Sequence, residues 1–316
     1  MNLSGMNSSI GKKDRFALAD LNASEASDIM KRRNFIQLAL TGLAGCGENR
    51  KSHGAMLEAG PFRVTVPESW RESAIIENIA MVPVYHPEEW AAYRQDSHRV
   101  LKPSYVCRPQ HWAMRFPSAL PPGIPFQREN AGADPTAPQI LIHKADEWAV
   151  AFTDGRHMET PVGEVLAGLR KSVDDAMNDE SPPRLPCFMD ASLGFVCLKK
   201  RLRFAGGTGV RMIAQWNTEP SLMTFGKLHY LFSGMSEDDS CQIIASFPLD
   251  LAGLPRAQDQ IHLGHSMGQF DQFSVNFATY AETAIAWLRE NESSITPPLS
   301  TLDEVIKSLV VSGWKS

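Results

Sequence analysis

Four strand-like runs between residues 195 and 247 decide the fold of this chain. They are FVCLKKRLRF (195–204), VRMIAQW (210–216), KLHYLF (227–232) and QIIASF (242–247). Gly-Gly-Thr-Gly (206–209) separates the first two runs, and Ser-Glu-Asp-Asp (236–239) separates the last two. Short turns of these compositions join antiparallel strands. The sequence therefore predicts an antiparallel meander of about four strands over residues 195–247.

Segments with helical periodicity flank the predicted meander on both sides. Upstream, Thr160-Pro161 begins a helix whose apolar residues recur every three or four positions, at Val165, Leu166, Leu169, Val173 and Met177. Downstream, helices are predicted over Ser274–Glu290 and Leu302–Leu309. The order of strands, helix, meander and helices predicts an α+β fold with helices packed on an antiparallel sheet, not alternating βαβ units.

The part of the chain before the first helix contains less regular structure. Phe62–Val66 alternates apolar and polar residues, and Gln139–His143 is a short apolar run, so both are predicted strands. Residues 80–138 between them are rich in proline, which removes hydrogen-bond donors and interrupts strand pairing. We expect long loops and short edge strands there.

The segment MKRRNFIQLALTGLAGC (30–46) has the layout of an export signal: basic residues, a short apolar run, then small residues before a cysteine. Its apolar run of about ten residues is half of what a membrane-spanning helix needs. Arg32, Arg33 and Phe35 resemble the twin-arginine export motif. Leu43, Ala44 and Gly45 before Cys46 resemble the bacterial lipobox, in which the signal is cut before the cysteine and the thiol is acylated.

This signal predicts the organisation of the whole chain. Residues 1–29 are polar, and we expect them to be either untranslated, with a start at Met30, or disordered. Residues 30–45 form the export signal, residues 46–60 the lipid anchor and tether, and residues 61–316 a single α+β domain. The lipid on Cys46 is the predicted contact with a bacterial membrane, and the body faces the periplasm or the outside.

The charge balance excludes one class of partner. The chain has 31 basic and 36 acidic residues; six of the basic and four of the acidic ones lie in 1–45, which leaves 25 and 32 in residues 46–316. Nucleic-acid binding asks for a basic surface, so it is not expected. No cofactor fingerprint is present either. The expected partners are the membrane and an unknown envelope protein or small ligand.

Five cysteines are present, and four remain if Cys46 carries lipid. An exported compartment permits disulfides, so Cys107, Cys187, Cys197 and Cys241 form up to two bridges, or remain small buried hydrophobic residues. The pairing is left open by the sequence. No Cys-x-x-Cys spacing indicates a zinc or redox site.

Gly264-His265-Ser266-Met267-Gly268 fits the nucleophile elbow of α/β-hydrolases. A catalytic Ser266 would need a buried strand before it and a histidine base. The residues before it are too polar for a buried strand, and no histidine follows His265, although His229 or His262 could act in a different chain order. A loop is therefore the preferred interpretation, with an envelope serine hydrolase as the alternative.

His262 and His265 are three residues apart, which can place two imidazoles on one side of a helical turn. Two ligands do not complete a metal site, so a hydrogen-bonded or surface pair is preferred and a metal-binding protein is the second alternative.

Two resemblances bear on the body of the chain. Phe62–Val66 followed by Pro67 and Trp70 resembles the start of PsbP-like domains. From about residue 209 onward, the chain resembles an uncharacterised group of bacterial envelope proteins that share Phe-Pro (247–248) and Pro-x-Leu-x-x-Leu-Asp, whose last six residues are here Pro298–Asp303. The resemblance implies no activity. Together these features predict a lipid-anchored envelope protein that binds a ligand or supports an assembly.

Overall fold

Ten strands in two antiparallel sheets form the framework of this computed structural model, which describes residues 54–82, 108–126, 137–151, 162–178, 192–312 and 314. All of these residues belong to one compact unit, residues 51–316. The strands are β1 (Ala55–Ala59), β2 (Phe62–Val66), β3 (Ile75–Ile79), β4 (His111–Arg115), β5 (Gln139–Lys144), β6 (Ser192–Phe204), β7 (Gly207–Asn217), β8 (Leu228–Ser236), β9 (Cys241–Pro248) and β10 (Val310–Val311).

The larger sheet joins two meanders. Its seven strands lie in the order β3-β4-β5-β9-β8-β7-β6, and every neighbouring pair is antiparallel. The predicted four-strand meander is confirmed as β6 to β9, and its last strand returns to pair with β5. The smaller sheet has the order β1-β2-β10. The predicted α+β class with antiparallel sheets is therefore confirmed.

Six α-helices are described with these sheets. They are α1 (Glu68–Arg71), α2 (Trp148–Ala151), α3 (Val162–Asn178), α4 (Phe270–Val275), α5 (Phe277–Glu290) and α6 (Leu299–Lys307). The described part of the chain contains no helix that is both long enough and apolar enough to cross a membrane.

A close approach between β7 and β8 explains part of the glycine content of the meander. Gly209 lies directly opposite Gly234. A Cβ atom on Gly209 would lie 2.4 Å from Phe232 Cζ and 2.4 Å from the Ser233 carbonyl oxygen. Only glycine leaves room for the Phe232 ring at this crossing.

The two faces of the large sheet are covered differently by the described residues. One face packs against the small sheet and helices α4 to α6, and together they form the main apolar core. Residues of this core on the sheet include Met114, Ile140, Ile142, Ile213, Tyr230, Phe232, Ile243 and Phe247. On the other face, α3 packs against β7 and β8, where Val173 and Ala176 are buried. Three residues of the apolar stripe predicted for this helix, Leu166, Leu169 and Val173, thus face the sheet.

A buried ionic group, the Asp303 cluster, fixes α6 on the sheet. Asp303 is 2% exposed, and its carboxylate accepts hydrogen bonds from Lys200 Nζ at 2.8 Å, Arg211 Nε at 3.2 Å and the Tyr230 hydroxyl at 3.2 Å. The donors lie on three adjacent strands, β6, β7 and β8. The Asp303 cluster thus ties the end of the Pro-x-Leu-x-x-Leu-Asp motif to the meander.

Three sequence predictions differ from the structure. The tether predicted over residues 46–60 contains β1, which pairs with β2 along its full length. The Pro-rich region was expected to supply edge strands, but β4 lies inside the sheet between β3 and β5. The helix predicted over Ser274–Glu290 is instead the pair α4 and α5, because the backbone leaves the helical region at Asn276 (φ −96°, ψ 8°).

The Asp303 cluster leads to a stability prediction. Asp303→Asn leaves the Arg211 guanidinium buried without its counter-charge, so it should lower the free energy of unfolding by about 3–5 kcal/mol. Glu304→Gln is the matched control, because Glu304 is exposed on the same helix and pairs only with Lys307, and it should cost less than about 1 kcal/mol. Urea unfolding of both variants measures the difference; equal effects would contradict a stabilising role for the cluster.

Candidate functional site

Several residues singled out from the sequence lie outside the described part of the chain. They are the export and lipidation residues Arg32, Arg33, Phe35, Leu43, Ala44, Gly45 and Cys46, and the cysteines Cys107 and Cys187. The predictions made for these residues therefore stay predictions.

The other two cysteines, Cys197 and Cys241, are buried free thiols, and no disulfide joins them. Burial raises the pKa of Cys197 to about 12 and the pKa of Cys241 to about 11. Both sulfurs are therefore protonated at neutral pH, and a protonated buried thiol is a poor nucleophile. These residues serve as small apolar side chains in the core.

The Gly-His-Ser-Met-Gly motif forms a turn and a helix cap. His262 and His265 exchange two backbone hydrogen bonds of 2.9 Å around Leu263 and Gly264, which have φ of 52° and 81°. Ser266 then adopts an extended conformation (φ −141°, ψ 148°), and its Oγ accepts a hydrogen bond from the amide of Gly268 at 3.1 Å. In the described residues no strand leads directly into Ser266, because β9 ends at Pro248, so the strand–turn–helix elbow expected of a hydrolase is not formed.

The two histidines of this motif are not arranged as metal ligands. His262 is buried, and its Nδ1 forms a hydrogen bond of 2.7 Å with the Tyr280 hydroxyl, which also accepts from the Met223 amide. Burial lowers the pKa of His262, with a smaller contribution from His265 in the same direction. Within the described ranges, no group of three or more His, Cys, Asp or Glu side chains is placed to hold a metal ion.

The most unusual feature of the described residues is a set of buried polar side chains, here called the polar sheet face. Its six members lie on the same face of β4, β5 and β9 and are each at most 3% exposed: His111, Arg115, Gln139, His143, Gln242 and Ser246. Buried polar groups normally find hydrogen-bond partners. A sheet face that concentrates them is therefore a candidate binding site.

Strand register arranges the polar sheet face in two rows. His111 lies opposite His143, which lies opposite Gln242; Arg115 lies opposite Gln139, which lies opposite Ser246. Each strand thus contributes two polar residues four positions apart. The residues between them, Ala113, Leu141 and Ile244, form an apolar row on the same face, because alternate residues of a strand share a face.

Among the residues of the polar sheet face, Arg115 gives the clearest indication of ligand binding. Its Nη1 pairs with the Glu77 carboxylate on β3. Its Nε and Nη2 are buried and have no hydrogen-bond partner, and the whole side chain is 2% exposed. A buried donor without an acceptor costs about 1–3 kcal/mol, and more when it is charged. An acceptor bound at this edge would remove that cost.

In the other polar row, the pair His111 and His143 provides polar groups that carry no charge at neutral pH. The ring centroids of His111 and His143 are 4.8 Å apart. Burial lowers the pKa of His111 to about 4, opposed in part by its hydrogen bond to the Pro109 carbonyl. Burial also lowers the pKa of His143 well below its usual value, and His111 adds to this effect. Both rings are therefore neutral at pH 7.

Hydrogen bonds fix some atoms of this row and leave others without a partner. His111 Nδ1 lies 2.9 Å from the Pro109 carbonyl oxygen, which can only accept, so Nδ1 carries the hydrogen and Nε2 has the lone pair. His111 Nε2 and His143 Nδ1 are buried without a partner. Gln242 Oε1 accepts from the indole nitrogen of Trp148 at 2.6 Å.

The sequence contained a signal for this site. In HWAMR (111–115), QILIH (139–143) and QIIAS (242–246), polar residues stand at the two ends of a five-residue segment whose interior is apolar or aromatic. In a strand, this spacing places both polar ends on one face. The shared pattern on three segments indicates a common site only when the segments are known to be neighbours, and the sequence does not give that pairing.

The histidine pair predicts how stability depends on pH. Between about pH 6.5 and pH 4 the unfolded chain protonates His111 and the native chain does not, so stability is complete above this window and decreases as the pH falls. The loss from His111 should reach about 3 kcal/mol. Urea unfolding at several pH values should show a weaker pH dependence for His111→Gln than for the unchanged protein. A common curve for the variant and the unchanged protein would contradict the assignment.

The cap at Ser266 gives a second prediction. Ser266→Ala should lower the free energy of unfolding by about 1 kcal/mol, because the Gly268 amide loses its acceptor. The unchanged protein should not react with a fluorophosphonate probe, as detected by intact mass. Labelling that is lost in Ser266→Ala would instead support the hydrolase alternative.

Comparison with known proteins gave no relative from which a role could be transferred: no protein family, no curated protein and no solved structure matches this chain.

Proposed function

We propose that this protein is exported to the bacterial cell envelope, is anchored there by a lipid on Cys46, and binds a small ligand on the polar sheet face. The proposal for location is supported by the order of the twin-arginine-like residues, the short apolar run and the lipobox-like residues before Cys46. Acyl chains on this cysteine would hold the body at a membrane surface, since each buried methylene contributes about 0.8 kcal/mol.

The binding part of the proposal is supported by one observation above all. The polar sheet face is nearly fully buried, yet Arg115 Nε, Arg115 Nη2, His111 Nε2 and Ser246 Oγ have no hydrogen-bond partner. Such groups are costly in a purely structural role. The function that accounts best for these atoms is the binding of a ligand that supplies their hydrogen-bond partners.

The proposed anchor predicts a defined chemical species. Protein extracted from membranes of the native host should have the mass of an acylated chain that begins at Cys46, measured by intact-mass spectrometry. Cys46→Ser should abolish the acylated species and release the protein from the membrane fraction. A chain that begins at Met1 and carries no lipid would contradict the export proposal and would place the remaining cysteines in a reducing compartment.

The binding part is tested on the same preparation. Native mass spectrometry should give a larger mass than the denatured chain, and the difference should reappear as a small molecule in the denatured extract. Arg115→Gln should lose this molecule, whereas Arg63→Gln, at an exposed position on β2, should retain it. Equal native and denatured masses for the unchanged protein would count against a resident ligand.

A further inference from the structure

We propose that the ligand of the polar sheet face is a small carboxylic acid with a hydrogen-bond donor at its far end. The geometry assigns its carboxylate to Arg115 Nε and Nη2, its apolar stem to the row Ala113, Leu141 and Ile244, and its terminal donor to His111 Nε2. This inference rests on the proposed function, because it names the class of ligand for the same site.

The Arg115 end of the site selects the carboxylate. Glu77 on β3 occupies Nη1, which leaves Nε and Nη2, the two donors on one side of the planar guanidinium. Two parallel N–H groups match the two oxygens of a carboxylate, and this bidentate arrangement is specific in direction as well as strong. Glu77 also limits the movement of the guanidinium, so the free edge is held in place.

Charge favours a monoanion over a doubly charged phosphate. Arg115 is paired with Glu77 on β3, and the two histidines add no charge at neutral pH. A second negative charge on the ligand would be expensive in this buried setting.

The middle of the site is apolar. Ala113, Leu141 and Ile244 are each at most 2% exposed, yet none of them belongs to the three apolar clusters that the described residues form. An apolar stem that runs from one polar row to the other crosses this row and would contact its side chains. A polar stem would instead be desolvated without partners.

The far end of the site offers an acceptor. His111 Nε2 has the ring's lone pair, because Nδ1 donates to the Pro109 carbonyl, and it has no partner in the structure. A hydroxyl group on the ligand can donate to it. The two polar rows are four residues apart along each strand, or about 13 Å. Because three bonds of an extended chain span about 3.8 Å, a stem of about ten bonds covers this distance.

The test compares matched probes by titration into the ¹⁵N-labelled full-length protein. The probes are 10-hydroxydecanoate, its amide 10-hydroxydecanamide, decanoate and inorganic phosphate. We expect 10-hydroxydecanoate to shift the backbone amide signals of β4, β5 and β9, with a dissociation constant of about 1 mM or tighter. The amide should bind about 10- to 100-fold more weakly, because it loses the charge-assisted bonds, and decanoate about fivefold more weakly.

Two variants connect the carboxylate to Arg115. Arg115→Lys keeps the charge but removes the pair of parallel donors, and it should weaken binding of 10-hydroxydecanoate at least about tenfold. Arg63→Gln on β2 should leave the affinity unchanged. The acid–amide comparison needs no mutation, so the inference stays testable even if Arg115→Lys unfolds.

Specific outcomes overturn the inference. Equal affinity for acid and amide, tighter binding of phosphate, or no shift with any probe would each exclude the carboxylate assignment. If a neutral molecule is released from the native protein, the proposed function stands and this inference fails. If no molecule is released and no probe binds, both fail.

Discussion

The burial of Asp303 is the constraint on which the arrangement of the described domain depends. A carboxylate with 2% exposure is tolerated only because Lys200, Arg211 and Tyr230 donate to it from three adjacent strands. Those strands must therefore keep their register, and α6 must lie across them. Once α6 is fixed, the strand β10 that follows it pairs with β2, and the small sheet closes over the main core.

The side chains on the two faces of the large sheet differ in polarity. The face toward the small sheet and α4 to α6 contains aromatic and aliphatic side chains in one contiguous apolar cluster, which accounts for the cohesion of the domain. The opposite face of β4, β5 and β9 contains polar rows on either side of an apolar row. Because the two faces alternate along the same strands, the apolar face can stabilise the fold while the polar face retains groups that the fold does not need.

This separation connects the proposed location to the proposed activity. An envelope protein held by a lipid on Cys46 needs a body that is stable by itself, and the apolar core and the Asp303 cluster provide that stability. The polar sheet face contributes little to it, because its unpartnered donors oppose folding. A site of this kind is the expected place for ligand binding, where partners for such groups come from outside the chain.

The sequence by itself determined the α+β class, the meander and most helices, because these follow from local composition and periodicity. The proposed location in the cell envelope also comes from the sequence alone. It could not determine that β9 pairs with β5, since this contact joins distant segments and depends on how the two meanders meet. The polar ends of 111–115, 139–143 and 242–246 are therefore unremarkable when each is considered alone. Only strand register brings them into two rows, buries them together and leaves the Arg115 edge without an acceptor. The tertiary structure, by the same reasoning, decided against a hydrolase elbow at Ser266, whose geometry depends on a preceding strand that this chain does not form there.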